Sequence, residues 1–299
     1  MRFFILRSSL FPFLLGFFGY LIVHFWYYRL PDTNNDSTTS ARPGSGEFFD
    51  GIASFYDATN KIMTFGLDMS WRQHMIDRLA LNQSFTYSPQ FLDLATGTGD
   101  VAILLTKTYF SSISSQSDNT DQIKLQKSSN KKSNRPLVTA LDPSSKMISY
   151  GRDKVEHQDL SQHIQFILGN SEQLPFSNQQ YDRVTMSFGI RNVEFRNKAL
   201  LEMKRVLRQD GILGIMEFSK PQKGLLKLFG DLFIQYIMPV LAGVFTAGRY
   251  NEYMYLRDSI LLFPNPSQFR DILVDEIGFS NCEVVNAFQH IVFIYICKK

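Results

Sequence analysis

At 299 residues, 44% of them apolar, the chain is long enough for one substantial domain with appendages. A formal net charge of +3 argues against a nucleic-acid-binding surface. The two cysteines, Cys282 and Cys297, stand outside any His-x-Cys or C-x-x-C spacing, which excludes a zinc motif and a disulfide framework and fits a reducing compartment.

The chain opens on residues 8–28, 21 positions without Asp, Glu, Lys or Arg. As a helix this stretch would be about 32 Å long, enough to cross a hydrocarbon core. Arg2 and Arg7 precede it, Arg29 follows, and no acid appears before Asp32. Residues 1–30 are therefore expected to be a membrane anchor, a signal-type segment or the apolar part of an organelle presequence. Residues 31–46, rich in Ser, Thr, Asn, Pro and Gly, read as a disordered linker, so the folded domain is expected over residues 47–299.

Residues 48–57 are aromatic-rich and helical in pattern. They suit a capping helix pair that buries its aromatics, or a lid whose Tyr56 and Asp57 face a ligand; the pattern favours the former. Residues 91–94 then form an apolar strand around Asp93, followed by a turn holding Gly97, Thr98 and Gly99 and by a helical run from Val101. Strand, glycine turn and helix start are the opening of a nucleotide-binding α/β unit. Ile103 stands about where the third glycine of the dinucleotide fingerprint would fall, so a pyrophosphate site is disfavoured.

Residues 111–136, dense in Ser, Asn, Gln and Lys, read as a disordered surface insertion. A second strand, 137–141, runs into Asp142. Asp93 and Asp142 are 49 positions apart, or 23 once the 26-residue insertion is set aside. An acid at that distance, at the tip of the second strand, is where ribose hydroxyls are bound. Ser144 or Ser145 caps the next helix. Strands are expected at 164–168, 181–187 and 211–218, with a helix over 197–208 stopped by Gly211 as its C′ residue. Residues 223–245 form a broadly apolar helix, either core or a greasy wall for an apolar substrate or membrane. A helix through Phe269, Leu273 and Ile277 ends at Gly278, and runs at 282–285 and 291–296 close the chain as an antiparallel pair. Strands alternating with helices predict an α/β fold with a mostly parallel, doubly wound sheet. Ligands of such sheets bind beyond the strand C-termini, where Asp93, Asp142, Asn170, Ser187, Arg191, Asn192 and Glu217 gather.

From about Phe48 onward the chain resembles the ubiquinone/menaquinone biosynthesis C-methyltransferases (the UbiE/MenG family). The resemblance rests on Phe49-Asp50-x-Ile52-Ala53-x-x-Tyr56-Asp57, Leu92-Asp93-x-Ala95-x-Gly97-Thr98-Gly99-Asp100 and Asn170-x-Glu172-x-Leu174-Pro175-Phe176. It rests further on Ser187-Phe188-Gly189-Ile190-Arg191-Asn192-Val193, Glu217-Phe218-Ser219-Lys220-Pro221 and Tyr253-x-Tyr255-Leu256-x-x-Ser259-Ile260. It implies a class I, Rossmann-like methyltransferase: a mostly parallel seven-stranded sheet with an antiparallel C-terminal strand and a helical lid. It implies S-adenosylmethionine as cofactor, held by Asp93, Gly97, Thr98, Gly99, Asp142, Asn170, Ser171 and Ser187, with no metal. Two positions depart from the family pattern: Ser171 replaces a usual Ala, and Asp68-Met69 replaces a His-Arg pair before Trp71.

The acceptor implied is a ring carbon of a polyprenyl quinol. Arg191, with Asn192 and Tyr56, is expected to orient the quinol or a water and to stabilise the phenolate. An arginine is effectively always protonated, so its role is electrostatic rather than that of a free base. The insertion after the first sheet helix, which mitochondrial members share, inclines the reading to a benzoquinol of ubiquinone biosynthesis. A demethylmenaquinol- or demethylphylloquinol-type naphthoquinol is the alternative, and a non-catalytic scaffold the second. A long prenyl tail implies work at a membrane surface, and the resemblance admits a multi-enzyme quinone-synthesis complex and a homodimer. The arginine-bearing, acid-free N-terminus fits the matrix side of the mitochondrial inner membrane, with a plastid membrane as the alternative.

Overall fold

The computed structural model describes residues 42, 44–64, 66–81, 85, 87–116, 135–220 and 250–299. The apolar stretches at 8–28 and 223–245 lie outside the described residues. Packing divides the chain into two units, residues 1–40 with 232–257 and residues 41–231 with 258–299. Of the first, the described residues are 250–257, in helix α7 (Tyr250–Leu262). The second holds the sheet.

Seven strands lie in the order β3-β2-β1-β4-β5-β7-β6. β1 (Phe91–Leu94), β2 (Val138–Asp142), β3 (Ile164–Leu168), β4 (Tyr181–Ser187) and β5 (Leu207–Phe218) are mutually parallel. β7 (Val292–Lys298) runs antiparallel to both β5 and β6 (Asn281–Phe288). β1 and β2 are buried along their whole length, as strands covered on both faces must be, which is why they read as unbroken apolar runs.

Alternation along β1 sends Phe91 to one core and Leu92 and Leu94 to the other. On the Phe91 side α3 (Asp68–Asp77), α4 (Asp100–Gln116) and α5 (Ser145–Glu156) contribute Met75, Ile76, Ala102, Leu105 and Ile148. On the other side α6 (Arg196–Val206) buries Ala199, Leu200, Met203 and Val206, and Phe269 comes from α8 (Pro266–Asp271). Ser144 is the cap of α5, accepting from the Met147 N–H at 3.1 Å. Two short helices, α1 (Gly46–Ile52) and α2 (Tyr56–Met63), precede the sheet.

Three expectations are corrected. The helix of β1's crossover runs to Gln116, so the insertion cannot begin at Ser111; residues 117–134 lie outside the described residues. Gly211 does not stop a helix. α6 ends at Val206, Leu207 already pairs with Tyr181, and Ile212 is the next residue of β5 in register, opposite Arg183. Gly211 belongs to the bulge between them, where a Cβ would stand 2.7 Å from the Leu207 side chain and 2.9 Å from the Arg208 carbonyl. Finally, Cys282 and Cys297 are bonded to each other. They are direct partners across β6 and β7, a contact that spacing along the chain does not reveal. The reducing compartment inferred from unpaired cysteines loses that basis.

Candidate active site

Two strand ends make the floor of the site, and both are bent by residues with left-handed backbone. Ala95 follows β1 at φ 49° and Phe188 follows β4 at φ 57°, a conformation costly for residues with a Cβ and concentrated at functional sites. The two loops touch: a Cβ on Gly189 would lie 2.6 Å from that of Ala95. Gly97 (φ 56°) and Gly99 (φ 84°) carry the chain from β1 into α4, and a Cβ on Gly99 would stand 2.9 Å from the ring of Phe166.

Above this floor lies a cavity of about 260 Å³. It brings together seven of the residues expected from sequence: Tyr56, Gly97, Asp142, Asn170, Ser171, Ser187 and Asn192. The Asp142 carboxylate, at the tip of β2, accepts from the Gly97 N–H and the Ser144 N–H, each at 2.8 Å. Burial raises its pKa to about 6, against those two backbone donors. Asn170 accepts from the Glu172 N–H at 2.9 Å, which fixes its side chain at the loop after β3. The Ser187 hydroxyl, at the end of β4, is buried and has no hydrogen-bond partner among the described residues. Such a group calls for a ligand or water to satisfy it.

Four expected residues stand elsewhere. Asp93 points from β1 to the α3 side. It accepts from Thr96 Oγ1 at 2.5 Å and Thr185 Oγ1 at 2.7 Å, and burial lifts its pKa to about 7. Its surroundings are a second, smaller cavity of about 20 Å³ shared with Arg72, Thr98 and Ser187. The Thr98 hydroxyl donates to Asp57 rather than facing the larger cavity. Gly99 serves the turn and lines neither cavity. Arg191 is the largest departure. Its Nη1 bonds Glu217 Oε1 at 2.6 Å and the Phe188 carbonyl at 2.9 Å, and its guanidinium lies 5.6 Å from the Phe218 ring centre. The side chain lines neither of these two cavities.

Sequence reasoning missed the strap before the domain. Arg42, Gly44, Ser45 and Gly46, assigned to the linker, line the cavity. Ser45 caps α1, Arg42 pairs with Glu194 at 3.0 Å across the opening, and a Cβ on Gly46 would strike the Pro143 carbonyl. Asp50 of α1 accepts from Ser144 Oγ at 2.5 Å and from the Lys146 N–H at 2.9 Å. Strap, α1 and α2 thus form a lid, with Phe49 and Tyr56 on the cavity. The aromatics at 48–57 were the available signal, but their pattern favoured a buried cap.

The residues fit S-adenosylmethionine. A buried acid at the second strand tip can accept the hydroxyls of a ribose, the glycine turn admits close backbone approach, and the orphaned Ser187 hydroxyl needs a polar partner. Sheet order, the antiparallel β7 and this site define a class I, Rossmann-like S-adenosylmethionine-dependent methyltransferase. Solved structures agree on the fold. A methyltransferase from Aquifex aeolicus superposes with a TM-score of 0.51 at 14% identity, covering 83% of this chain and 97% of its own. An N-methyltransferase from Haemonchus contortus, in complex with S-adenosylhomocysteine, gives 0.54 at 12%, covering 85% and 58%. The chain belongs to the ubiE/COQ5 methyltransferase family, whose model matches residues 37–299. Among its relatives, the "Ubiquinone/menaquinone biosynthesis C-methyltransferase UbiE" of Geotalea daltonii is 32% identical over 255 residues, 85% of this chain and 95% of the relative. That of Rickettsia prowazekii is 34% identical over 251 residues, 84% and 90%.

Proposed function

We propose that the protein transfers a methyl group from S-adenosylmethionine to a ring carbon of a polyprenyl benzoquinol in ubiquinone biosynthesis. One observation carries the reading. The cavity is lined both by polar Asp142, Asn170 and Ser171 and by Phe49, Tyr56, Phe188 and Val193, a mixed lining suited to a flat uncharged ring beside the donor. The names of the relatives supply the quinone chemistry, and the insertion between α4 and β2 inclines the choice toward the benzoquinol. Bound S-adenosylmethionine supplies a methyl already activated on sulfonium, so the protein's task is to set the acceptor carbon in line with it. Tyr56 and Asn192 line the cavity where each can hold a quinol hydroxyl and direct its electrons into the ring. A phenolic hydroxyl has a pKa near 10, so groups that favour its ionised form speed attack by carbon. The lid keeps water from the sulfonium.

Purified protein given S-adenosylmethionine and short-tailed benzoquinol should yield the ring-methylated product by mass spectrometry. Product from a demethylmenaquinol-type naphthoquinol alone would move the assignment to that branch, and none from either would remove it. The prenyl tail of the substrate places the working enzyme at a membrane surface, and the acid-free, arginine-bearing N-terminus points to the matrix side of the mitochondrial inner membrane. Among the described residues no helix is long and apolar enough to cross a membrane. The acid-free, apolar residues 8–28 are the anchor this reading proposes. Deleting residues 1–30 should release the protein from the membrane fraction; unchanged pelleting would remove the anchor.

A further inference from the structure

A polar cluster that the donor cavity does not use lies between the lid and the glycine turn. Lys154, near the end of α5, places Nζ 2.6 Å from Asp57 Oδ2, 2.8 Å from Thr98 Oγ1 and 2.9 Å from Asp100 Oδ1. An ammonium has three N–H donors, and each has one acceptor here. Thr98 closes the ring by donating to Asp57 Oδ1 at 2.8 Å. The partners come from two separate pieces of chain, since Thr98 and Asp100 stand two residues apart. Asp57 is in α2, beside Tyr56; Thr98 is in the turn between Gly97 and Gly99; Asp100 begins α4. Burial lowers the pKa of Lys154, but Asp100 and Asp57 outweigh it and hold the amine above its ordinary value, so it stays charged at physiological pH. Asp57 retains 42% exposure and Lys154 27%, which leaves the pair open to solvent and salt.

We infer that Lys154 is a positioning residue that latches α2 onto the glycine turn, so that breaking this latch sets how fast S-adenosylmethionine enters and leaves. Two arguments support it. Tyr56 covers the cavity only while α2 is held against the turn, and Asp57, its neighbour, is where Lys154 holds it. The Asp50 contacts with Ser144 and Lys146 secure α1 instead, so α2 can swing without releasing the rest of the lid. Lys154 does not line the donor cavity, so its influence on the donor passes through Asp57 and Thr98.

The inference rests on the assignment of the donor and not on the choice of acceptor. The test uses the full chain with S-adenosylmethionine as probe, measuring release by stopped flow, affinity by calorimetry and the thermal midpoint. Lys154→Met, which keeps the length and removes the charge, should release the donor at least about tenfold faster and bind it correspondingly more weakly, with the midpoint within about 2 °C of wild type. Lys154→Arg, which can still reach both carboxylates, should recover release to within about threefold. Raising salt from about 0.05 to 0.5 M should speed release from the wild type more than from Lys154→Met. Release unchanged in Lys154→Met overturns the latch. So does an arginine variant as impaired as the methionine one with both midpoints depressed, since that marks a packing role. Should Lys154→Met fail to fold, Asp57→Asn removes only the lid's charge and carries the same expectation. A chain that binds the donor yet methylates neither quinol faults the acceptor reading alone, and the release rates still decide the latch. A chain that binds no donor overturns both.

Discussion

Replacing Asp142 by Asn should weaken S-adenosylmethionine binding by about a hundredfold, more than it weakens the fold. The carboxylate already accepts the N–H groups of Gly97 and Ser144, one on each oxygen, and still has lone pairs toward the cavity. A ribose hydroxyl donating to an ionised acceptor is worth about 1.5–3 kcal/mol, and the vicinal diol offers two such donors. An amide cannot substitute, because its NH₂ would have to face one of those two backbone N–H groups, donor against donor. The effect depends on pH. Burial sets the Asp142 pKa at about 6, and donation from the ligand favours the ionised form, so affinity should rise with pH up to about 6 and then level off. Below that point the dissociation constant should grow about tenfold per pH unit. The same raised pKa acts on the fold with the sign expected of a buried acid. The native state holds the proton more tightly than the unfolded chain, so this group's contribution to stability falls as pH rises from about 4 to 6 and the cost is complete above it. Calorimetric titration at pH 5 and pH 8 checks the proposal: a flat affinity in wild type, or Asp142→Asn within threefold of it, would take Asp142 out of the donor site.

The strands that carry the site were legible because of how they are buried. β1, β3 and β4 have the bounds read from sequence, since each is a short strand-like run cut off by a turn. Asp142 was found by distance from the glycine turn, which required recognising the insertion first. What sequence could not give was direction. Asp93 sits between Leu92 and Leu94, so the strand's alternation sends it to the α3 side, away from the larger cavity. Arg191 and Asn192 are adjacent in a 3₁₀ turn (Ile190–Asn192), where successive side chains diverge by about a third of a turn. Ile190 goes to the core, Arg191 to Glu217 and Asn192 to the cavity. The strap at 42–46 was illegible for another reason. Ser, Gly and Pro mark a flexible linker and a close-packed turn alike, and only Pro143, a hundred residues away, decides between them.

Removing one partner of the Arg191–Glu217 pair should destabilise the protein by about 3–5 kcal/mol. Glu217 is 0% and Arg191 8% exposed at the side chain, so either one left alone would hold an unpaired charge in the interior. Glu217 also accepts from the Phe218 N–H at 2.8 Å, and Arg191 also donates to the Phe188 carbonyl, the residue whose positive φ turns the chain out of β4. Loss of the pair should therefore disturb the loop bearing Ser187 and Asn192, and lower activity through it. Glu217→Gln and Arg191→Met should each lower the denaturant midpoint, and the double variant should lose less than the sum, because it leaves no charge unpaired. A contact between Arg191 and the quinol predicts otherwise: Arg191→Met would keep its stability within about 1 kcal/mol and its donor affinity while turnover collapsed. Unfolding curves for the four members of the cycle, beside donor affinity and turnover for each, separate an arginine that builds the loop from one that reaches the substrate.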